Sequence, residues 1–503
     1  MSDERPPRLG LGLVLKAILG GVAVMALTSA AVATGALLKV KELKTGIDLT
    51  PAAVIKSATL KAPKPGEAQT LLLVGTDQRY GQARSKVNAD TMMLIRLDPR
   101  REATAVLNVP RDLAVEIPRH GMAKINRAYA FGGLDLTAQT VKKLLRFDIS
   151  HAIAIDFKGF RRAVDKLGCV YVDVDRRYFN DNAGPQPDYA VIDLQPGYQS
   201  LCGQHALDYV RYRHGDSDLV RAARQQGFLR AAKDQIGTSK LLSSSSDLVK
   251  IFGRAAQTDP GLHQTKQIVR LIEQAVLSAG NPVRQLKFPA DEQLDTAPGG
   301  LGDYLTVTPA KLETVRATFL AATKSQQKPK QPAVVRRGAQ RARQGSRTTL
   351  QDFGLVDATQ QGRRLTQGLA VKEDLGFPVY FPAGITQRSQ PPAAGPMPRA
   401  YTLRDRAGKA HRAYRIVMAE SVERGEYWGV QGTTWRTPPV LTKGGSPVRL
   451  RGRDYRVFYD AKRIRVVSWR TPRAVYWVSN TLGNALTNTE MLGIARSLTR
   501  SSG

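Results

Sequence analysis

Histidine and cysteine are scarce in this chain, six and two among 503 residues. His120, His151, His205 and His214 do not fall at zinc-ligand spacings, and no H-E-x-x-H pair occurs. With only two cysteines and no C-x-x-C, dithiol redox chemistry is also without a motif. G-x-S-x-G and G-x-x-x-x-G-K-[ST] are both missing, so nothing points to a nucleophilic serine or a P-loop. Acidic residues are few: 43 Asp and Glu stand against 75 Lys and Arg, a formal charge of +32. That excess names acidic partners: nucleic acid, anionic lipid or an anionic wall polymer.

One run decides among them. Residues 17–38 carry no charge between Lys16 and Lys39. At 1.5 Å per residue they extend about 33 Å, enough to cross a bilayer core. The competing reading is a signal peptide with a small-residue cleavage site at 31–33. Because the apolar run continues past that site to Leu38, an uncleaved transmembrane anchor is expected. Basic residues flank the run on both sides (Arg5, Arg8 and Lys16; Lys39, Lys41 and Lys44), so the positive-inside rule does not orient it. The length allows two or three domains, and 42% hydrophobic residues can build a large core.

The stretch YVRYRHGDSDLVRAARQQ, residues 209–226, gathers Arg211, Arg213, Arg221 and Arg224 beside Asp216, Asp218 and Gln225. A helix from 218 to about 236 would put Arg221 and Gln225 one turn apart on one face, with Arg224 close by. Guanidinium forks beside an amide suit the oxygens of a phosphate or pyrophosphate, although a solvated, salt-bridged face yields the same string. Upstream, apolar runs at 71–74, 91–97 and 103–109 read as strands. They release Asp77, Arg79, Asp90 and Arg111 at or near their ends. Carboxylates so placed suit a hard cation sharing phosphate oxygens, while each Asp alone is equally a turn residue.

Seven motifs occur in order: VGTDQR, ADTMMLIRLDP, VLNVPRD, KINRAYAFGG, IDFKGFRRAVDKLG, LCGQHALDYVRYR and DLVRAARQQ. Over residues 66–322 the chain therefore resembles the LytR-CpsA-Psr family of membrane-anchored envelope phosphotransferases. The resemblance implies a three-layer α-β-α catalytic domain with a central mixed sheet, a lipid in an apolar pocket, and a cytoplasmic N-terminus with the catalytic domain outside. It implies transfer of a glycopolymer from an undecaprenyl-pyrophosphate carrier to peptidoglycan or a related wall acceptor. A regulator that only holds the lipid pyrophosphate is the alternative. An external position argues against nucleic acid as partner. By position, Asp77 and Asp90 match the carboxylates that hold Mg²⁺ (or Mn²⁺). Arg79, Arg111, Arg211, Arg213, Arg221, Arg224 and Gln225 match pyrophosphate contacts. Arg111 and Arg221 are also expected in catalysis, with Asp218 as a base or arginine orienter. Lys124 and Asn126 shape the site. Asn88 stands where the family usually has Arg. Fixed arginines and a cation answer the charge that builds on a phosphoryl group under attack, so no covalent nucleophile is required.

Cys169 and Cys202 form an even pair in an exported domain, which predicts a disulfide; two separate buried thiols are the alternative. Residues 1–16 read as a cytoplasmic tail and 39–65 as a stalk. Apolar helices are expected around 241–253 and 265–279. From 323 to 365 a basic linker is expected: residues 324–347 hold eight Lys or Arg and no acid. Residues 366–503 hold all four Trp and read as an antiparallel α+β domain closing on a helix with a Thr487-x-x-Glu490 capping box. No catalytic constellation is visible there, so this domain is expected to be tethered and dispensable for chemistry.

Overall fold

The computed structural model describes residues 60–501, apart from 62–63, 65, 77–86, 184–189, 213–215, 217, 237–255, 260–261, 263–270, 272–273, 275–277, 279–280, 282, 296–299, 324–348, 373–374, 393–397 and 451. The 17–38 run, the stalk up to residue 59, the 241–253 helix and most of the linker lie outside these residues. Among the described residues no helix is long and apolar enough to cross a membrane.

Strands covered on both faces build the first domain. Strands β1 (Gln69–Thr76), β2 (Ala89–Asp98), β3 (Ala103–Val109) and, after helix α1 (Arg127–Leu145), β4 (His151–Asp156) carry apolar residues on both faces. That is the composition of strands covered on both sides. Pairing is antiparallel for β1–β2 and β2–β3 and parallel for β1–β4. Leu72, Leu94, Leu107 and Ala152 thus share one face, where α1 and the later helix α5 (Pro309–Leu320) close a core through Leu134, Val141, Val315 and Phe319. Leu73, Met93 and Ile153 form a row on the other face. That face meets helices α2 (Phe157–Leu167), α3 (Gly203–Arg211) and α4 (Asp218–Gln235). Two edge strands, β7 (Ala256–Thr258) and β8 (Val283–Leu286), complete a mixed sheet in the order β7-β4-β1-β2-β3-β8. Helices therefore cover both faces of one sheet.

Between α2 and α3 lies a hairpin of β5 (Val170–Val174) and β6 (Gly197–Leu201). Helix α2 is capped by Asp156, which accepts from the Gly159 amide at 2.7 Å. A disulfide joins Cys169, just past α2, to Cys202, the residue before α3, with Cα atoms 4.4 Å apart. Closing that loop contributes about 3.5–4 kcal/mol in the chain-entropy model.

The C-terminal domain starts earlier than the sequence reading placed it. Leu350, Phe353, Leu355 and Ala358 already pack into its core, so the linker ends before residue 349 rather than at 365. The run LQDFGLVDATQQ hid this, because four apolar anchors at irregular spacing among polar neighbours carry little periodicity. Helix α6 (Thr359–Lys372) is followed by a seven-stranded antiparallel sheet: β9 (Arg399–Arg404), β10 (Ala410–Ser421), β11 (Glu426–Thr433), β12 (Ser446–Leu450), β13 (Arg453–Asp460), β14 (Arg463–Arg470) and β15 (Val475–Ser479). Helix α7 (Asn488–Ser497), entered through the Thr487/Glu490 capping box, packs on one face through Met491, Leu492 and Ile494.

The other face is docked on the β5–β6 hairpin, which corrects the expectation of a tethered domain. Tyr171 and Tyr198 pack with Leu403, Trp435, Phe458, Val466 and Trp477 in one buried cluster. Asp173 accepts from Trp477 Nε1 at 2.9 Å and pairs with the buried Arg415 at 3.0 Å. Arg230 of α4 pairs with Asp460 at 2.6 Å. Gly197, at φ +119°, is required here: a Cβ would sit 2.4 Å from the Tyr401 hydroxyl. That hydroxyl accepts from the Tyr198 amide at 2.7 Å. The aromatic residues of this sheet, Tyr455, Phe458, Trp469 and Trp477 among them, are spent on this interface and on the core.

Candidate functional site

The row of Leu73, Met93 and Ile153 is roofed by helices that do not close on it, leaving a cavity of about 350 Å³. Phe157, Phe160, Leu207, Val210, Phe228 and Leu229 line it as well. Polar groups gather among its lining residues: Asp90 and Thr91 from β2, Arg211 at the end of α3, and Arg221 and Gln225 from α4. The expected helix over 218–236 is present as α4, and its i, i+4 spacing puts Arg221, Gln225 and Leu229 on the cavity side.

Arg221 is buried, only 6% exposed, yet it opens on the cavity. Arg211 donates to Asp208 at 3.1 Å and lies 5.3 Å from the Phe157 ring centroid. Burial pushes the Asp208 carboxyl above its ordinary value, against the hydrogen bond from Gln204 and the charge of Arg211. On the strand side, Arg111 donates to Asp90 Oδ1 at 2.7 Å and to Asp112 Oδ2 at 3.2 Å. Lys124 stands 3.8 Å from Asp112. The Asn126 backbone amide donates to the Arg111 carbonyl, and its own carbonyl accepts from the Ala89 amide, tying the K-I-N segment to the start of β2.

Not every expected residue arrives. Asp77, Arg79 and Arg213 lie outside the described residues; Asp218 opens α4, and its side chain is likewise not described. Arg224 does not line the cavity. It is completely buried on the flank of α4 away from Gln225, where it donates to the Tyr212 carbonyl at 2.9 Å and to Asp216 at 2.6 Å. Its guanidinium sits 4.7 Å from the Tyr178 ring centroid. Successive helix residues turn by about 100°, so Arg224 stands about 60° to one side of Arg221 and Gln225 about 40° to the other, and packing decides which side faces the cavity. Gln225 reaches the cavity, but its amide is engaged: Nε2 donates to Thr91 at 2.8 Å and to the Val210 carbonyl at 3.1 Å, and Oε1 accepts from Asn108 at 3.1 Å. It fastens α4 to the sheet.

Three residues escaped the sequence reading. Asn108 and Thr91 hold Gln225; the signal was a single polar residue inside an otherwise apolar strand, as in VLNV. Arg176 shares the Asp216 carboxylate with Arg224, at 2.5 and 2.6 Å, and had no signal beyond its charge.

The cavity thus joins an apolar wall to guanidiniums and a carboxylate, a lining complementary to an amphiphile with an anionic head. The chain belongs to the LytR_cpsA_psr family, whose model matches residues 34–318. It is 33% identical over 204 residues to the polyisoprenyl-teichoic acid–peptidoglycan teichoic acid transferase TagU of Oceanobacillus iheyensis, covering 39% of this chain and 60% of that one. To TagT of Bacillus subtilis, which bears the same transferase name, it is 29% identical over 257 residues, 50% of this chain and 80% of the relative. A solved structure of TagT with bound octaprenyl pyrophosphate lipid aligns at 24% identity and a TM-score of 0.39, covering 53% of this chain and 98% of that one. These three alignments span at most 53% of the chain, and the TagU alignment covers 60% of that relative's length.

Proposed function

We propose that this protein transfers a glycopolymer from a polyprenyl-pyrophosphate carrier to peptidoglycan or a related wall acceptor, at the outer face of a membrane in which residues 17–38 anchor it. The observation that carries this reading is the apolar cavity with Arg211, Arg221 and the Arg111-paired Asp90 beside it. The names of the TagU and TagT relatives agree with it. The polyprenyl chain enters between the sheet row and α2, α3 and α4, and the arginines meet the pyrophosphate. An acceptor hydroxyl then attacks the phosphorus that bears the sugar. The P–O bond to the bridging oxygen breaks, polyprenyl phosphate leaves, and the hydroxyl proton passes to a carboxylate, for which Asp218 is the candidate. Planar forks suit the charge that grows on the phosphoryl oxygens as this happens.

Purified in detergent, the full chain should retain a polyprenyl phosphate or pyrophosphate visible by mass spectrometry. A chain that carries no such lipid and fails to take up added polyprenyl pyrophosphate would contradict the reading.

The donor set also fits a hard divalent cation. Asp90 lines the cavity with Oδ1 held by Arg111, and Asp77 follows β1 in sequence. Mg²⁺ (or Mn²⁺) uses one or two carboxylates plus phosphate oxygens. Bound there, it would neutralise charge on the pyrophosphate. Turnover should fall with a chelator, return on adding Mg²⁺, and fall strongly in Asp90→Ala with the fold intact. Full activity of Asp90→Ala in chelator rejects the cation.

A further inference from the structure

The outer strands of the C-terminal sheet carry a row of exposed arginines, of which Arg456 also lies 5.8 Å from the ring centroid of the interface residue Phe458. Cross-strand register puts Arg449 opposite Asp454, Pro447 opposite Arg456, and Arg456 opposite Ser468. Ser468 is in turn opposite Trp477, and Arg470 opposite Val475. Residues directly opposite share a face, so Arg449, Arg456 and Arg470 lie on the face that holds Trp477 and Phe458. Further along that face those aromatic residues dock on the β5–β6 hairpin; at its outer end the three arginines are exposed. Arg436, Lys443 and Arg473, also exposed, stand on the adjoining loops: Arg436 donates to the Thr471 and Pro472 carbonyls, and Arg456 to the Gly444 carbonyl at 2.6 Å. Asp454 is the one acid in the row, ion-paired at 3.7 Å with Arg449.

We infer that this face binds a polyanionic chain bearing repeated phosphates. The three guanidiniums stand at offset positions on neighbouring strands, with only Asp454 against them, so the face presents a net positive potential that favours an anion. Adjacent strands lie about 4.8 Å apart, so the row offers donors repeated on the scale of a polymer rather than one pocket for one ion. A membrane surface is the competing partner, and the face lacks what that would use. None of the exposed large hydrophobic residues of the described chain (Met122, Phe131, Phe179, Val191, Leu294, Val356 and Val422) belongs to it. The polymer class follows from the transferase reading, but binding is measurable without turnover.

The test uses the full chain in neutral-lipid nanodiscs and the variant Arg449→Gln/Arg456→Gln/Arg470→Gln, with inorganic polyphosphate of defined length as probe. Each phosphate contact adds about 0.7 to the slope of log affinity against log salt for a flexible chain, so the slope should fall by about 2, with at least a roughly tenfold loss of affinity. Turnover of a short lipid pyrophosphate should be unchanged, because none of the three residues lines the catalytic cavity. Unaltered polyphosphate binding and salt slope in the variant overturn the inference. So does a loss confined to phosphatidylglycerol vesicles, which would assign the face to the membrane. If the variant loses polyphosphate while wild-type protein turns over no lipid pyrophosphate, the polyanion face stands and the transferase reading falls.

Discussion

Arg221→Lys should cut turnover of a lipid-pyrophosphate substrate by about 30- to 1000-fold while leaving the melting temperature nearly unchanged. The lysine keeps a positive charge on a long stem but loses the fork that engages two oxygens at once. A charge-assisted bond made mainly in the transition state is worth roughly 2–4 kcal/mol, which sets that range. An ion pair on a solvated helix would be worth only about 0–1 kcal/mol and would act on stability. Arg221 is not such a pair: it is buried and lines an apolar cavity. Arg224→Lys is the internal comparison, three residues along the same helix. Its guanidinium serves Asp216 and the Tyr212 carbonyl among tyrosine rings, so its replacement should lower stability and leave less of a rate effect once folded protein is compared. Near-normal turnover in Arg221→Lys would return α4 to an ordinary salt-bridged helix.

That contrast marks how far the sequence could be read. Apolar runs at 71–74, 91–97 and 103–109 were legible as strands because each face of β1, β2 and β3 is covered, by a helix layer or by the cavity roof. Ordered motifs brought Asp90, Arg111, Arg211 and Arg221 forward, and all four stand at or beside one cavity. Which arginines of RAARQQ point inward depended on the packing of α4 against Tyr178, Tyr209 and Tyr212, and on Asn108 two strands away. Those are long-range choices that local spacing does not encode. The docking of the second domain was hidden for the same reason. An arginine–aromatic alternation looks alike whether its face meets solvent, sugar or another domain; here the decisive partners, Tyr171, Tyr198 and Asp173, lie more than two hundred residues upstream.

Asp216→Asn is expected to lower stability by about 3–5 kcal/mol, the range for breaking a buried ion pair by removing one partner. The Asp216 side chain has no exposed surface, and it accepts from Arg176 at 2.5 Å and from Arg224 at 2.6 Å. The amide would leave both guanidiniums short of a counter-charge. Asp175 limits the damage. Burial pushes its carboxyl above the ordinary range, although the Tyr178 hydroxyl donates to it at 2.6 Å and both arginines favour its charge. Removing the like charge of Asp216 would ease its ionisation, so the loss should fall near the lower end. The same carboxylate is covered by the second domain. Gly425, at φ +65°, leaves room for Asp216 Oδ1 3.0 Å from where its Cβ would stand, and the Tyr427 ring lies 5.3 Å from the Arg176 guanidinium. Loosening this cluster should therefore weaken docking of the C-terminal sheet as well as the start of α4. All four tryptophans sit in that domain, and Trp435 and Trp477 are in the interface cluster, so intrinsic fluorescence reports undocking directly. Chemical denaturation of Asp216→Asn should show the tryptophan transition at lower denaturant, ahead of or together with loss of helix signal. A variant whose fluorescence transition and midpoint match wild type would mean that the Arg176–Asp216–Arg224 cluster fixes neither α4 nor the domain packed against it.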